Sequence, residues 1–121
     1  MPDFKTIEWT RHGARIIDQT LLPQRKKYLT INDERVMWEA IKKLRIRGAP
    51  AIGVAAAYGY YLGLKRHRPQ STKMLKRIAG RVSKYLASSR PTAVNLFWAL
   101  ERMDNLVRSL DNSLAVNDAL L

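Results

Sequence analysis

Arg47-Gly48-Ala49-Pro50-Ala51-Ile52-Gly53 opens an uncharged run that continues to Leu64. Proline is favoured at the start of a helix, where its missing N–H would have had no intrahelical partner. The stretch therefore predicts a helix over about 50–66. Free backbone N–H groups and the positive end of the helix dipole gather at such a start, and Arg47 adds a full charge. A phosphate or a carboxylate would fit there. The helix itself is apolar nearly all round, which suits a buried central element better than a membrane span, because it is rich in Ala and Gly. Ala51, Ala55, Gly59 and Gly63 repeat every four residues and make a smooth stripe that lets a neighbouring helix approach.

Working outward, Val36, Met37, Ala40, Ile41 and Leu44 fall at helical spacing and predict a helix over 32–44, capped by Thr30 or Asn32. Lys65-Arg66-His67-Arg68-Pro69 closes the central helix. A third helix follows over 72–87, capped by Ser71, with Met74, Leu75, Ile78, Val82 and Tyr85 as its apolar face. A fourth starts near Pro91 and runs to Leu110, with Leu96, Leu100, Met103, Val107 and Leu110 on one side. Toward the N-terminus, Phe4–Trp9, Ala14–Asp18 and Lys27–Leu29 read as short strands, the first two joined by a turn at Arg11-His12-Gly13. The expected fold is mainly α: a bundle of about four helices over 31–121, with a small antiparallel β subdomain over 1–30.

Composition narrows the chemistry. Cysteine is absent and there are two histidines, so disulfides, thiolate ligands and a thiol nucleophile are excluded within these 121 residues, and no metal site is expected. No secretory signal is visible, and a cytoplasmic setting is expected. The net charge is +12, and between Ala40 and Leu100 there are 13 Lys and Arg with no Asp or Glu. Nucleic acid, a phosphorylated small molecule and an acidic partner domain would each suit that excess.

Arg90-Pro91-Thr92-Ala93-Val94-Asn95 repeats the design of the opening stretch, an arginine directly before a proline. Two helix starts, each with an arginine beside it, could converge on one anion, and guanidinium forks match phosphate oxygens. Left in solvent, both cations would merely oppose the helix dipoles. Asp18 reads as a turn cap more readily than as a carboxylate in a buried network. Trp9, Trp38 and Trp98 read as core, and Asn95 either reaches a ligand or bonds its own backbone. No nucleophile–base pair, carboxylate pair or glycine-rich nucleotide loop is present.

Three segments in order carry a family resemblance: Asp18–Pro23, Ile46–Gly59 and Ser89–Leu100, with Arg102-Met103 after them. Their residues and spacing resemble the N-terminal region of the methylthioribose-1-phosphate isomerase family over about 7–110. The resemblance implies an aldose–ketose isomerase of methionine salvage, turning 5-methylthioribose 1-phosphate into 5-methylthioribulose 1-phosphate. It implies that Arg47, Gly48, Ala49 and Arg90 bind the substrate, chiefly its phosphate. It also implies no metal or organic cofactor and a homodimer when complete. The family's catalytic cysteine and aspartate lie in a C-terminal α/β domain absent from this chain, so no catalytic residue maps here and the chain alone is expected to be inactive. Related ribose-1,5-bisphosphate isomerases and regulatory subunits of a translation-initiation exchange complex share the architecture. They leave a non-catalytic subunit as the alternative. Membrane and nucleic-acid partners are not expected.

Overall fold

The computed structural model describes residues 7–46 and 48–110, with Ala49 described by its helical backbone only. Three strands come first, β1 (Ile7–Thr10), β2 (Gly13–Ile17) and β3 (Tyr28–Ile31), followed by α1 (Glu34–Lys42), α2 (Ala49–His67), α3 (Thr72–Ala87) and α4 (Val94–Arg108). The strands form an antiparallel sheet in the order β1-β2-β3, with Trp9 opposite Ala14 and Ala14 opposite Ile31. Ala14, Ile16 and Ile17 of the middle strand are fully buried, and one continuous core joins the sheet to all four helices.

Asp33, rather than Thr30 or Asn32, caps α1; its carboxylate accepts from the N–H groups of Arg35 and Val36. The β3 strand runs on to Ile31, so the chain is still extended where the sequence pattern placed the cap. Ser71 caps α3 as expected, accepting from Met74. The start of α4 differs. Ala93 N–H bonds the Arg90 carbonyl and closes a turn with Pro91 at its second position, so the helix begins at Val94 instead of Pro91. A fixed φ near −65° suits that turn position as well as it suits a helix start.

The small-residue stripe of α2 is where α1 and α3 come close. A Cβ on Gly59 would lie 2.9 Å from Met37 Cγ, and one on Gly63 would lie 2.8 Å from both Glu34 Oε2 and Val82 Cγ1. The inward faces of α1 and α3 are accordingly set by contact with α2. Met37, Ala40 and Ile41 are buried on α1, and Leu75, Ala79, Val82 and Leu86 on α3. Val36, Leu44, Met74 and Tyr85, assigned to those faces by periodicity, are exposed.

On its other side α2 meets α4. Gly53 lies against Asn95 and Ala99, and two turns further on Tyr60 donates to Asp104 at 2.8 Å. Contacts that advance together along both chains mean that α2 and α4 run parallel. Asp104 also accepts from Ser83 of α3 at 2.8 Å, tying three helices together. Tyr60 is fully buried; burial, then the hydrogen bond to the Asp104 carboxylate, push its hydroxyl pKa far above the ordinary range. An unfolded tyrosine ionises near pH 10, so this group stabilises the fold below that pH and its contribution falls as pH rises further. In an alkaline absorbance titration, Tyr60 is expected to ionise only on unfolding. Five ionising tyrosines in a chain still folded by circular dichroism would contradict this.

Candidate functional site

The α2 start is held by Gly48 as cap residue, at φ 94° and ψ 134°, a backbone state that favours glycine. Its carbonyl accepts from Ile52 N–H at 3.0 Å. No side chain caps this end and no acidic residue stands in its first turn, and Pro50 follows as the second helical residue. Arg47 lies outside the described residues, as does the side chain of Ala49.

At the other start, Ser89 is buried and its hydroxyl donates to the Leu86 carbonyl at 2.6 Å, anchoring the chain where α3 ends. Arg90 follows, half-buried and without a carboxylate partner among the described residues. The turn at Pro91 then leads into α4, whose cap residue Ala93 offers no side-chain acceptor and whose first turn again lacks an acid. Since α2 and α4 are parallel and touch at Gly53 and Asn95, the two uncapped N-termini sit side by side. Each presents unsatisfied N–H groups, the requirement for holding an anion.

A cavity of about 760 Å³ runs along the α2–α4 seam from this end, lined among others by Pro50, Gly53, Asn95, Trp98, Arg102 and Leu106. Asn95 of the first turn is part of that lining. Trp98 is corrected: its side chain is 63% exposed instead of core, as is that of Leu106, and Val94 and Phe97 are exposed beside them. Helical periodicity does not single out Trp98 as a site residue, because it cannot tell an apolar side chain facing the core from one facing a second surface.

Asp18 and the other two tryptophans make structural contacts. Asp18 caps the 3₁₀ turn Gln19–Leu21 through Thr20 N–H and pairs with Arg45 at 2.7 Å, so it is both the turn cap and a buried carboxylate. Burial would raise its pKa; the hydrogen bonds from Thr20 and the Arg45 guanidinium outweigh that and hold it below the usual value. Trp38 donates to Ser88 at 2.9 Å and stacks on Tyr85; Trp9 packs on Tyr58 and Tyr61 but is exposed at the edge of the sheet instead of core. Among the described residues no group of His, Asp and Glu could hold a metal ion, and no helix is long and apolar enough to cross a membrane.

Residues 45–120, more than half of the chain and including both helix starts, match the Initiation factor 2 subunit family. The chain belongs to that family. Among curated family relatives it is 54% identical over 88 residues to the 5-deoxyribose 1-phosphate isomerase of Petrotoga mobilis, covering 73% of this chain and 25% of that protein. It is 49% identical over 117 residues to the methylthioribose-1-phosphate isomerase of Dehalococcoides mccartyi, covering 97% of this chain and 35% of that one. The chain thus spans about a quarter to a third of the relatives it matches. Two solved family structures superpose on nearly all of it. The 5-methylthioribose 1-phosphate isomerase of Pyrococcus horikoshii has a TM-score of 0.87 at 33% identity, covering 96% of this chain and 32% of that one. The translation initiation factor eIF-2B subunit delta of A. fulgidus has 0.83 at 36%, covering 91% and 32%.

Proposed function

We propose that this chain is the N-terminal substrate-binding part of an aldose–ketose isomerase acting on a 5-deoxypentose 1-phosphate, 5-methylthioribose 1-phosphate of methionine salvage being the substrate. The side-by-side, uncapped starts of α2 and α4 carry the reading. Arg47, Gly48, Ala49 and Arg90 grip the phosphate there, the arginines by fork-shaped donation and the glycine by letting the backbone approach closely. Moving a hydrogen from C2 to C1 of the sugar leaves the phosphate unchanged, so it serves as a fixed handle while acid and base groups act elsewhere. The chain lacks cysteine, and among the described residues Asp18 and Asp104 are engaged by Thr20 and Arg45 and by Tyr60 and Ser83, so we look for those groups elsewhere. The catalytic residues belong to a following α/β domain.

The exposed row of Val54, Val94, Trp98 and Leu106 along the seam is the face we assign to that domain. It adjoins the phosphate seat, and the relatives carry 65% to 75% of their length beyond the matched part. The complete protein is a cytoplasmic homodimer in this reading, with the helices forming a bundle against the added domain. The 121-residue chain by itself is expected not to isomerise 5-methylthioribose 1-phosphate in a coupled ketose assay, whereas the protein joined to its α/β domain is. Turnover by the chain alone would overturn the division of labour. The likeness to the initiation-factor subunit supports a second reading, a non-catalytic regulatory subunit. A complete protein that folds and binds no sugar phosphate would favour it.

A further inference from the structure

We infer that a second anion site lies at the opposite end of α2, where α1, α2 and α3 meet, and that it takes the phosphate group of a small molecule. A cavity of about 280 Å³ there is lined by Glu34, Arg35, Arg66, His67, Arg81 and Tyr85, so that three helices each bring one guanidinium to the same space. Arg66 stands 16 residues beyond Pro50 on α2, which places this cavity about 24 Å from the first seat. Three guanidinium groups face one carboxylate in the lining, and Arg81 has no acidic partner among the described residues.

Arg66 is held in advance of any ligand. Its Nε donates to Glu34 Oε1 at 2.6 Å, and Glu34 is almost fully buried. Its Nη2 lies 3.1 Å from His67 Nε2. A guanidinium only donates, so in this contact Nε2 is the acceptor. Nη1 has no partner among the described residues. Arg35 pairs with Asp33 at 3.3 Å, and an ion pair made only to neutralise Glu34 would explain Arg66 but not the arrival of Arg81. Glu34 Oε1 aligns one edge of the Arg66 guanidinium and leaves Nη1 open to a phosphate oxygen.

The site is tested by following the His67 ring signals by NMR while inorganic phosphate, then phenyl phosphate, is added at constant ionic strength. Both should shift His67 in a saturable way. Arg35→Ala and Arg81→Ala, at exposed positions, should each weaken the response about tenfold or more, the equivalent of one charged hydrogen bond. Arg90→Ala should leave the His67 response unchanged, which separates this site from the first. Signals that do not move, that move equally with chloride, or that titrate alike in Arg35→Ala/Arg81→Ala would overturn the assignment.

Discussion

Gly63→Leu is expected to destabilise the chain at or beyond the upper end of the roughly 1–3 kcal/mol that overpacking costs. The first added carbon would fall 2.8 Å from Val82 Cγ1, 2.9 Å from Val82 Cγ2 and 2.8 Å from Glu34 Oε2. Valine is stiff at χ1 and Val82 is buried, so its methyl groups cannot swing away together. Displacing Glu34 would in turn pull its carboxylate from Arg66. Gly80 is the control: it lies in α3, and a Cβ there would meet nothing within 4 Å. Gly80→Ala should therefore raise stability by about 0.5–1 kcal/mol through backbone entropy alone. Urea midpoints of the two variants should move in opposite directions. An unchanged midpoint in Gly63→Leu would mean that the helices do not approach along this stripe.

Arg90→Ala, made in the complete enzyme, is expected to lower kcat/KM for the sugar phosphate by about ten- to a hundredfold, from the loss of one or more charged hydrogen bonds. Arg90→Lys should recover only part of it, since an ammonium is a point charge without the fork. Thermal stability should hardly change in either variant, because Arg90 has no carboxylate partner among the described residues. The kinetic loss then reports on the ligand. Unchanged kcat and KM in Arg90→Ala, with the protein folded, would remove Arg90 from the site and leave the α4 start without its cation.

Which parts of this molecule its sequence disclosed follows from how local each determinant is. The limits of α3 agree because a serine cap at one end and the fading of the apolar pattern at the other are local signals. Proline at position 91 is ambiguous, since helix starts and turns reward the same fixed φ, and the bond from Ala93 to the Arg90 carbonyl decides between them. Periodicity gave α1 and α3 their amphipathic character but placed Val36, Met74 and Tyr85 inside. Which arc of a helix is covered depends on where α2 approaches, and the glycines that permit that approach lie on another segment. The Asp18–Arg45 and Glu34–Arg66 pairs join residues far apart in the chain, and no spacing rule reaches them. Trp98 escaped for a related reason: spacing along a helix does not say which apolar side chains reach the core. Of the four predicted binding residues, Gly48 and Arg90 stand at neighbouring helix starts, while Arg47 and the Ala49 side chain lie outside the described residues.

The Tyr60–Asp104–Ser83 junction acts on the rest of the molecule as an alignment pin. It fixes the rotation and slide of α4 against α2 nine residues from Asn95, a lever about 14 Å long. A tilt of about 5° at the pin would carry the near end of the lever about 1 Å, a displacement that can cost a reaction about a hundredfold in rate. Three polar side chains, Tyr60 and Ser83 buried and Asp104 half-buried, thereby set the calibration of the end to which we assign the phosphate.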